Sequence, residues 1–265
     1  MRTNIIDAGH GGKDSGAIGI NGVKEKDIVL EVSNLADKYL KQQDIKNINT
    51  RTTDIFLSLN ERSNKANNLG VNSFASIHCN DSDDPQAHGL EIFCYNLKYR
   101  ELADCILSEL KADNLYTRLR DGGIKTGNLH VVRETNMPAC LIELGFISNR
   151  EDYNLIMNNK DRFAKAIAKG ICKFNGVIWK EPSGSSSKGF KRGSYSGRKA
   201  KVISKELNVR YTRWIGNIAE PKIIGVLKKG QNVSLEWCED GWVSIQGFSG
   251  DKGLGYVNSE FLELL

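Results

Sequence analysis

Proline, histidine and methionine are scarce in this chain of 265 residues, at four, four and three copies. So little proline, with no periodic glycine, excludes a collagen-like repeat. No run of 18 apolar residues occurs, so no segment is predicted to cross a membrane as a helix. The opening Met1-Arg2-Thr3-Asn4-Ile5-Ile6-Asp7 meets an acid before an apolar stretch can form, which argues against a secretory signal. None of the six cysteines forms a CxxC pair, and most sit in apolar runs, so they read as reduced, buried side chains and not as a disulfide frame or thiolate metal site. What remains is ordinary globular composition, 40 % apolar and 26 % charged, which excludes global disorder and a coiled coil.

The net charge of +5 is unevenly placed. Residues 1–180 carry 24 basic and 23 acidic side chains, residues 181–201 six and one, and residues 202–265 seven and eight. The basicity belongs to one short segment. That argues against a nucleic-acid partner, which needs a basic stripe on a folded face, and allows weak attraction to a polyanionic wall or membrane surface.

The same segment is rich in Gly, Ser, Lys and Arg and reads as a linker over 177–201. It separates a larger domain, residues 1–176, from a small one, residues 202–265. In the first, strand signals (3–7, 45–50, 71–78, 89–95, 139–143) alternate with helical ones (27–43, 59–69, 99–111, 161–174). Ser58-Leu59-Asn60-Glu61 has the spacing of a capping box, and Gly70 is a helix stop. The alternation predicts an α/β fold, a mostly parallel sheet with helices on both faces. Five short strand-like runs in the second domain predict a small all-β barrel.

Three predicted strand ends carry chemistry. His10 follows the first strand in a glycine-rich loop, His78 ends the third, and Glu143 ends the apolar run Ala139-Cys140-Leu141-Ile142. Ligands of open α/β sheets bind beyond the carboxyl ends of the strands, so two imidazoles and a carboxylate converge on one rim. A catalytic zinc site takes three protein ligands and leaves one position open; Glu143 suits either the third ligand or the base. If the loop after His10 folds back over the rim, Glu25 joins the cluster. His10, Glu25 and His78 would then be ligands and Glu143 the base, its pKa raised by burial. His88 reads as a solvated loop residue and His130 as structural.

Four stretches carry a family resemblance. Ile6-Asp7-Ala8-Gly9-His10-Gly11-Gly12-Lys13-Asp14-Ser15-Gly16-Ala17, Gly22-Val23-Lys24-Glu25-Lys26-Asp27, Ser76-Ile77-His78-Cys79-Asn80 and Asn136-Met137-Pro138-Ala139-Cys140-Leu141-Ile142-Glu143-Leu144-Gly145-Phe146-Ile147-Ser148-Asn149 appear in order. Together they resemble the motifs of the zinc-dependent N-acetylmuramoyl-L-alanine amidases of the Amidase_3 type, over about residues 4–174. Cys79 stands where that family commonly has a smaller residue. The resemblance implies one Zn2+ bound by His10, Glu25 and His78. It implies Glu143 as catalytic acid/base and, as substrate, the peptidoglycan amide between N-acetylmuramic acid and L-alanine of the stem peptide. Asn80 and Arg133 are weaker candidates: Asn80 orients a ligand or contacts substrate, or equally caps a turn, and Arg133 pairs with a muropeptide carboxylate from the rim or, the preferred reading, is a solvated surface arginine.

Leu207-Asn208-Val209-Arg210, Gly225–Gln231, Asp240–Ile245 and Gly255-Tyr256-Val257 resemble pieces of bacterial Src-homology-3-like domains, which implies wall binding. Tyr211, Trp214, Trp237 and Trp242 are candidate contact aromatics, Trp214 the better one; the alternative for Trp237 and Trp242 is that they fill the barrel core, which is preferred for Trp242. The combination is similar to phage or prophage endolysins, made without an export signal and acting on the wall after release through a pore or on lysis. The rival readings are a zinc peptidase acting within the stem peptide and a non-catalytic wall-binding protein with structural zinc.

Overall fold

The computed structural model describes residues 2–181, 190–213, 221–239 and 241–265. The chain divides into two compact units, Met1–Lys180 and Glu181–Leu265.

The first unit is built on six strands: β1 (Thr3–Ala8), β2 (Lys46–Asn49), β3 (Ser73–Asn80), β4 (Leu90–Cys94), β5 (Leu119–Thr126) and β6 (Ala139–Phe146). Their order is β2-β1-β3-β6-β4-β5, and every pairing is parallel except β4 with β6. The helices are α1 (Glu25–Leu40), α2 (Leu59–Leu69), α3 (Glu101–Ala112), α4 (His130–Arg133) and α5 (Arg150–Phe174). Alternate strand residues sort between two cores. Ile6, Ala8, Ala75, Ile77 and Ile142 pack with α1, α3 and α5. Ile5, Phe74 and Leu141 pack with Ala66 of α2 and Val131 and Val132 of α4. The sheet is therefore mostly parallel with helices on both faces.

Local chemistry explains the helix ends. Ser58 Oγ accepts from Glu61 N while Glu61 Oε2 accepts from Ser58 N, and Gly70 closes α2 in the left-handed region at φ 54°. The last helix begins about a turn of residues after β6, well before the expected residue 161. Asn149 caps it by accepting from Glu151 N and Asp152 N, and a non-helical Asn159 joins two helical pieces. The polar first piece carries little apolar periodicity, which hid it. All six cysteines are free, and five are buried. Burial pushes the Cys172 thiol up to about 12. Among the described residues no helix is long and apolar enough to cross a membrane.

The second unit is all-β and antiparallel: β7 (Gly193–Ser194), β8 (Lys199–Val202), β9 (Glu206–Arg210), β10 (Ile223–Lys228), β11 (Asn232–Glu239), β12 (Trp242–Ile245), β13 (Gly255–Asn258) and β14 (Leu262–Leu264). Two expectations are corrected here. Phe190, Tyr195 and Ala200 are buried in this unit's core and β7 and β8 pair with β11, so residues assigned to the linker are part of the second fold. The core is aliphatic apart from Phe190, Tyr195 and Cys238; Trp237 is 47 % exposed, and neither it nor Trp242 is among its buried residues. Tyr211 is exposed, and Trp214 lies outside the described residues.

Candidate metal centre

The loop after β1 is held rigidly, and by two buried arginines. Arg51 donates to the carbonyls of Ala8 (3.0 Å), Gly9 (2.7 Å) and Lys26 (2.9 Å). Arg62, reaching from α2, donates to the carbonyls of Ala8 and His10, both at 2.6 Å. Lys26 Nζ adds a bond to Gly12 O at 2.9 Å and an ion pair with Asp54, whose other oxygen accepts from Gly12 N. Carbonyl oxygens that would otherwise be buried without partners are thus satisfied by cations. His10 sits at φ 58°, a left-handed conformation that a side chain adopts only when its surroundings impose it.

The segment between His10 and α1 folds back. Glu25 N donates to Ala17 O and Lys26 N to Ser15 O, which brings the first residue of α1 over the strand ends. Glu25 is buried, and each of its oxygens has two partners. Oε2 lies 3.0 Å from His10 Nε2 and accepts from Ala17 N at 2.9 Å. Oε1 lies 2.9 Å from His78 Nδ1 and accepts from Cys79 N at 2.9 Å. The two imidazoles meet edge to face, centroids 4.9 Å apart. One ligand atom from each of His10, Glu25 and His78 lies within 4.8 Å of the others.

Two glycines keep this space open. A Cβ on Gly9 would fall 2.3 Å from the His78 ring, and one on Gly16 would fall 2.5 Å from Glu25 Oε2 and 2.7 Å from the His10 ring. The far nitrogen of His10, Nδ1, is 2.9 Å from Asp14 Oδ2, so a carboxylate orients the ring and fixes which nitrogen faces Glu25. Neither Asp14 nor the two glycines was singled out from sequence. They stand inside the first motif, and only its folding shows that they serve His10.

The electrostatics follow from these contacts. Burial alone would depress the His10 pKa, but bonding and charge from Glu25 and Asp14 outweigh it and push it up to about 9. His78 is raised against burial by its bond to Glu25 and by the charges of Glu143 and Glu25. Glu25 is desolvated, yet the two imidazoles hold its carboxyl far below the usual range.

Glu143 is on β6 as register partner of His78 on β3. Burial, reinforced by the charges of Glu25 and Glu91 against that of His78, pushes its carboxyl up to about 7. Its Oε2 is buried with no hydrogen-bond partner among the described residues. The strand end that carries it is fastened by Asp152 of α5, which accepts from Gly89 N (2.6 Å) and Phe146 N (2.8 Å).

The other sequence candidates lie elsewhere. Asn80 donates to Glu91 Oε2 at 3.1 Å and caps Asp81 N, outside the trio. Arg133 ends α4 with its guanidinium on Glu134 and Asn128, and no contact brings it to the cluster. His88 bonds Thr117 and His130 bonds Ser63, both as structural groups.

Known proteins share much of this sequence and fold. The chain is 37 % identical over 179 residues to N-acetylmuramoyl-L-alanine amidase LytC of Bacillus subtilis, a match covering 65 % of this chain and 35 % of LytC. It is 34 % identical over 223 residues to the endolysin of Bacillus phage SPP1, covering 81 % of this chain and 80 % of that one. Its fold matches the catalytic domain of CwlV, an N-acetylmuramoyl-L-alanine amidase from Bacillus (Paenibacillus) polymyxa var. colistinus. The TM-score is 0.63 at 37 % identity, over 67 % of this chain and 100 % of that domain. Residues 5–173 match a family described as N-acetylmuramoyl-L-alanine amidase, and the chain belongs to that family, Amidase_3.

Proposed function

We propose that the protein is a peptidoglycan hydrolase that cleaves the amide between the lactyl group of N-acetylmuramic acid and L-alanine of the stem peptide. His10, Glu25 and His78 would hold one Zn2+, and Glu143 would act as acid/base. The observation that carries this reading is the meeting of three donor groups within 4.8 Å beside a carboxylate that has an orphaned oxygen.

The residues fit a zinc ion. Two neutral imidazoles and a carboxylate are a common donor set for it, and the Gly9 and Gly16 cradle leaves room around them. Among the described residues three protein donors meet, one fewer than the four of a structural site, which favours a catalytic over a purely structural ion. When bound, such an ion supplies Lewis acidity toward a carbonyl and an acidified water.

This chain's own residues do the rest. Glu25 and the Asp14 contact fix the imidazole nitrogens that face the centre. Glu143, whose carboxyl burial raises above the ordinary carboxylate range, is placed to exchange a proton as base and then as acid. Its Oε2 takes a proton from the attacking water and returns it to the departing alanine nitrogen, so one water is consumed and a lactyl carboxylate and an alanine amine are released. The second unit would tether the enzyme to the wall and raise its local concentration there; the length of the match to the phage endolysin supports a similar modular arrangement.

The test is Glu143→Gln with zinc on purified wall. Release of N-terminal alanine should fall by ~10²–10⁴ while zinc content stays as in the wild type. Undiminished release would reject the role of Glu143. New amino termini other than alanine would point instead to a peptidase acting within the stem.

A further inference from the structure

We propose that Arg120 on β5 binds substrate, reading a free carboxylate on the peptide that follows the scissile alanine; the inference rests on the amidase reading above.

Four strands, β3, β6, β4 and β5, lie side by side in that order. His78 pairs in register with Glu143, and Glu143 with Glu91. Register partners present their side chains on one face, Cβ atoms ~5 Å apart. Glu91 is buried, at 2 % exposure. Its Oε2 accepts from Asn80, and its Oε1 accepts from Arg120 Nε and from Lys125 Nζ. A buried carboxylate beside the acid/base thus draws two cations from the edge strand to the same face.

The two cations are not equivalent. Lys125 also faces the exposed Asp121 at 3.6 Å and lies over the Phe93 ring. Arg120 uses only Nε: its guanidinium rests over the Phe146 ring, 5.1 Å from the centroid, and among the described residues its terminal nitrogens have no partner. The side chain is one third exposed. Stacking from one side and a bond at Nε fix the plane of the fork and leave two parallel donors presented. That geometry matches a carboxylate bidentately and suits a sugar hydroxyl or an amide less well.

Reach agrees. An extended peptide advances ~3.5 Å per residue, so a carboxylate on the residue after the scissile alanine lies within ~7 Å of the bond Glu143 serves. A guanidinium held by the register partner of Glu143 falls in that range.

The experiment compares two soluble substrates with the full chain and zinc: muramoyl-L-alanyl-D-isoglutamyl-L-lysinamide, with a free α-carboxylate on the second residue, and the D-isoglutaminyl form, in which that carboxylate is an amide; in both the γ-carboxyl is tied up in the following peptide bond. The wild type should favour the acid in kcat/KM by ~10- to 100-fold, the worth of a charge-assisted contact. Arg120→Gln should raise KM for the acid by about that factor, leave kcat in place and leave the amide unchanged. Arg120→Lys should recover part of the preference. Equal wild-type efficiency on both substrates overturns the inference even if Arg120→Gln fails to fold, and so does an equal loss on both in the variant. Cleavage of both substrates with release of N-terminal alanine would then leave the amidase reading standing. Cleavage of neither removes both.

Discussion

Arg62 donates to Asp7 Oδ1 at 2.8 Å, and both side chains are buried, 4 % and 0 % exposed. The pair links α2 to β1, and through the same guanidinium it reaches the carbonyl of His10. Removing one partner of a buried pair leaves an uncompensated charge, a much larger loss than the pair's net worth. Arg62→Met should therefore lower unfolding stability by about 3–5 kcal/mol, read from urea midpoints at constant m. The same variant should weaken zinc binding, because the His10 loop loses two of its carbonyl anchors. A loss under about 1 kcal/mol would show that water replaces the guanidinium.

The same aspartate predicts how the protein responds to acid. Burial alone would raise the Asp7 carboxyl, but the charge of Arg62 and bonds from Thr50, Ser76 and Arg62 outweigh it and hold it below its ordinary value. A carboxyl with a folded pKa below its unfolded pKa stabilises the fold above the unfolded value, ~4. That contribution is lost as pH falls from there through the folded value. Thermal midpoints should be insensitive to this group between pH 7 and 5 and fall steeply below about pH 4. Asp7→Asn should be destabilised at pH 7 and show a shallower decline in acid; parallel curves would contradict the assignment.

Two glycines offer a matched test of the cradle. Gly16 and Gly22 both have positive φ, 63° and 73°, so alanine at either incurs a similar backbone strain of about 1 kcal/mol. Only at Gly16 would the new Cβ press on Glu25 and His10; at Gly22 nothing lies within 4 Å. Gly16→Ala should reduce zinc affinity by ~10- to 100-fold, as disturbed orientation of ligands commonly does, and Gly22→Ala should leave it unchanged. Zinc titration of both variants decides the point, and equal affinities would mean that the loop moves aside.

Much of this was legible before folding, for identifiable reasons. Short apolar stretches, Ile5-Ile6 in β1, Ile77 in β3 and Ala139-Cys140-Leu141-Ile142 in β6, lead into His10, His78 and Glu143, so their convergence follows from the rule for strand ends, although β6 itself runs on to Phe146. Glu25 depended on a loop folding back, which periodicity cannot show. The strand β5 escaped notice because Leu119-Arg120-Asp121-Gly122-Gly123-Ile124 has no alternation and carries positive φ at Asp121, Gly122 and Gly123. With β5 unseen, the sequence offered Arg133 of α4 as a weak candidate for a muropeptide contact and gave no signal for Arg120. The clamp of Arg51 and Arg62 was equally invisible, since an arginine reads as surface until the carbonyls it serves are located. In the second unit, five strands stood out by β-propensity, but β7 and β8 lay in a stretch whose glycine and serine content imitated a linker.

That boundary leads to a last prediction. Val177 and Trp179 pack against the core of the first unit, and Lys180 exchanges two backbone bonds, both 2.9 Å, with the buried Gln43 side chain. Residues 177–180 therefore finish the first fold. A fragment ending at residue 176 exposes part of that core and leaves Gln43 without partners, at a cost of about 2–4 kcal/mol relative to a fragment ending at residue 180. Chemical denaturation of the two fragments should separate them by that amount. If the second unit is the wall anchor, the longer fragment should still hydrolyse soluble muropeptides at the full-chain rate and yet fail to sediment with purified walls. Full sedimentation of that fragment would place wall affinity in the first unit and remove the tethering role from the second.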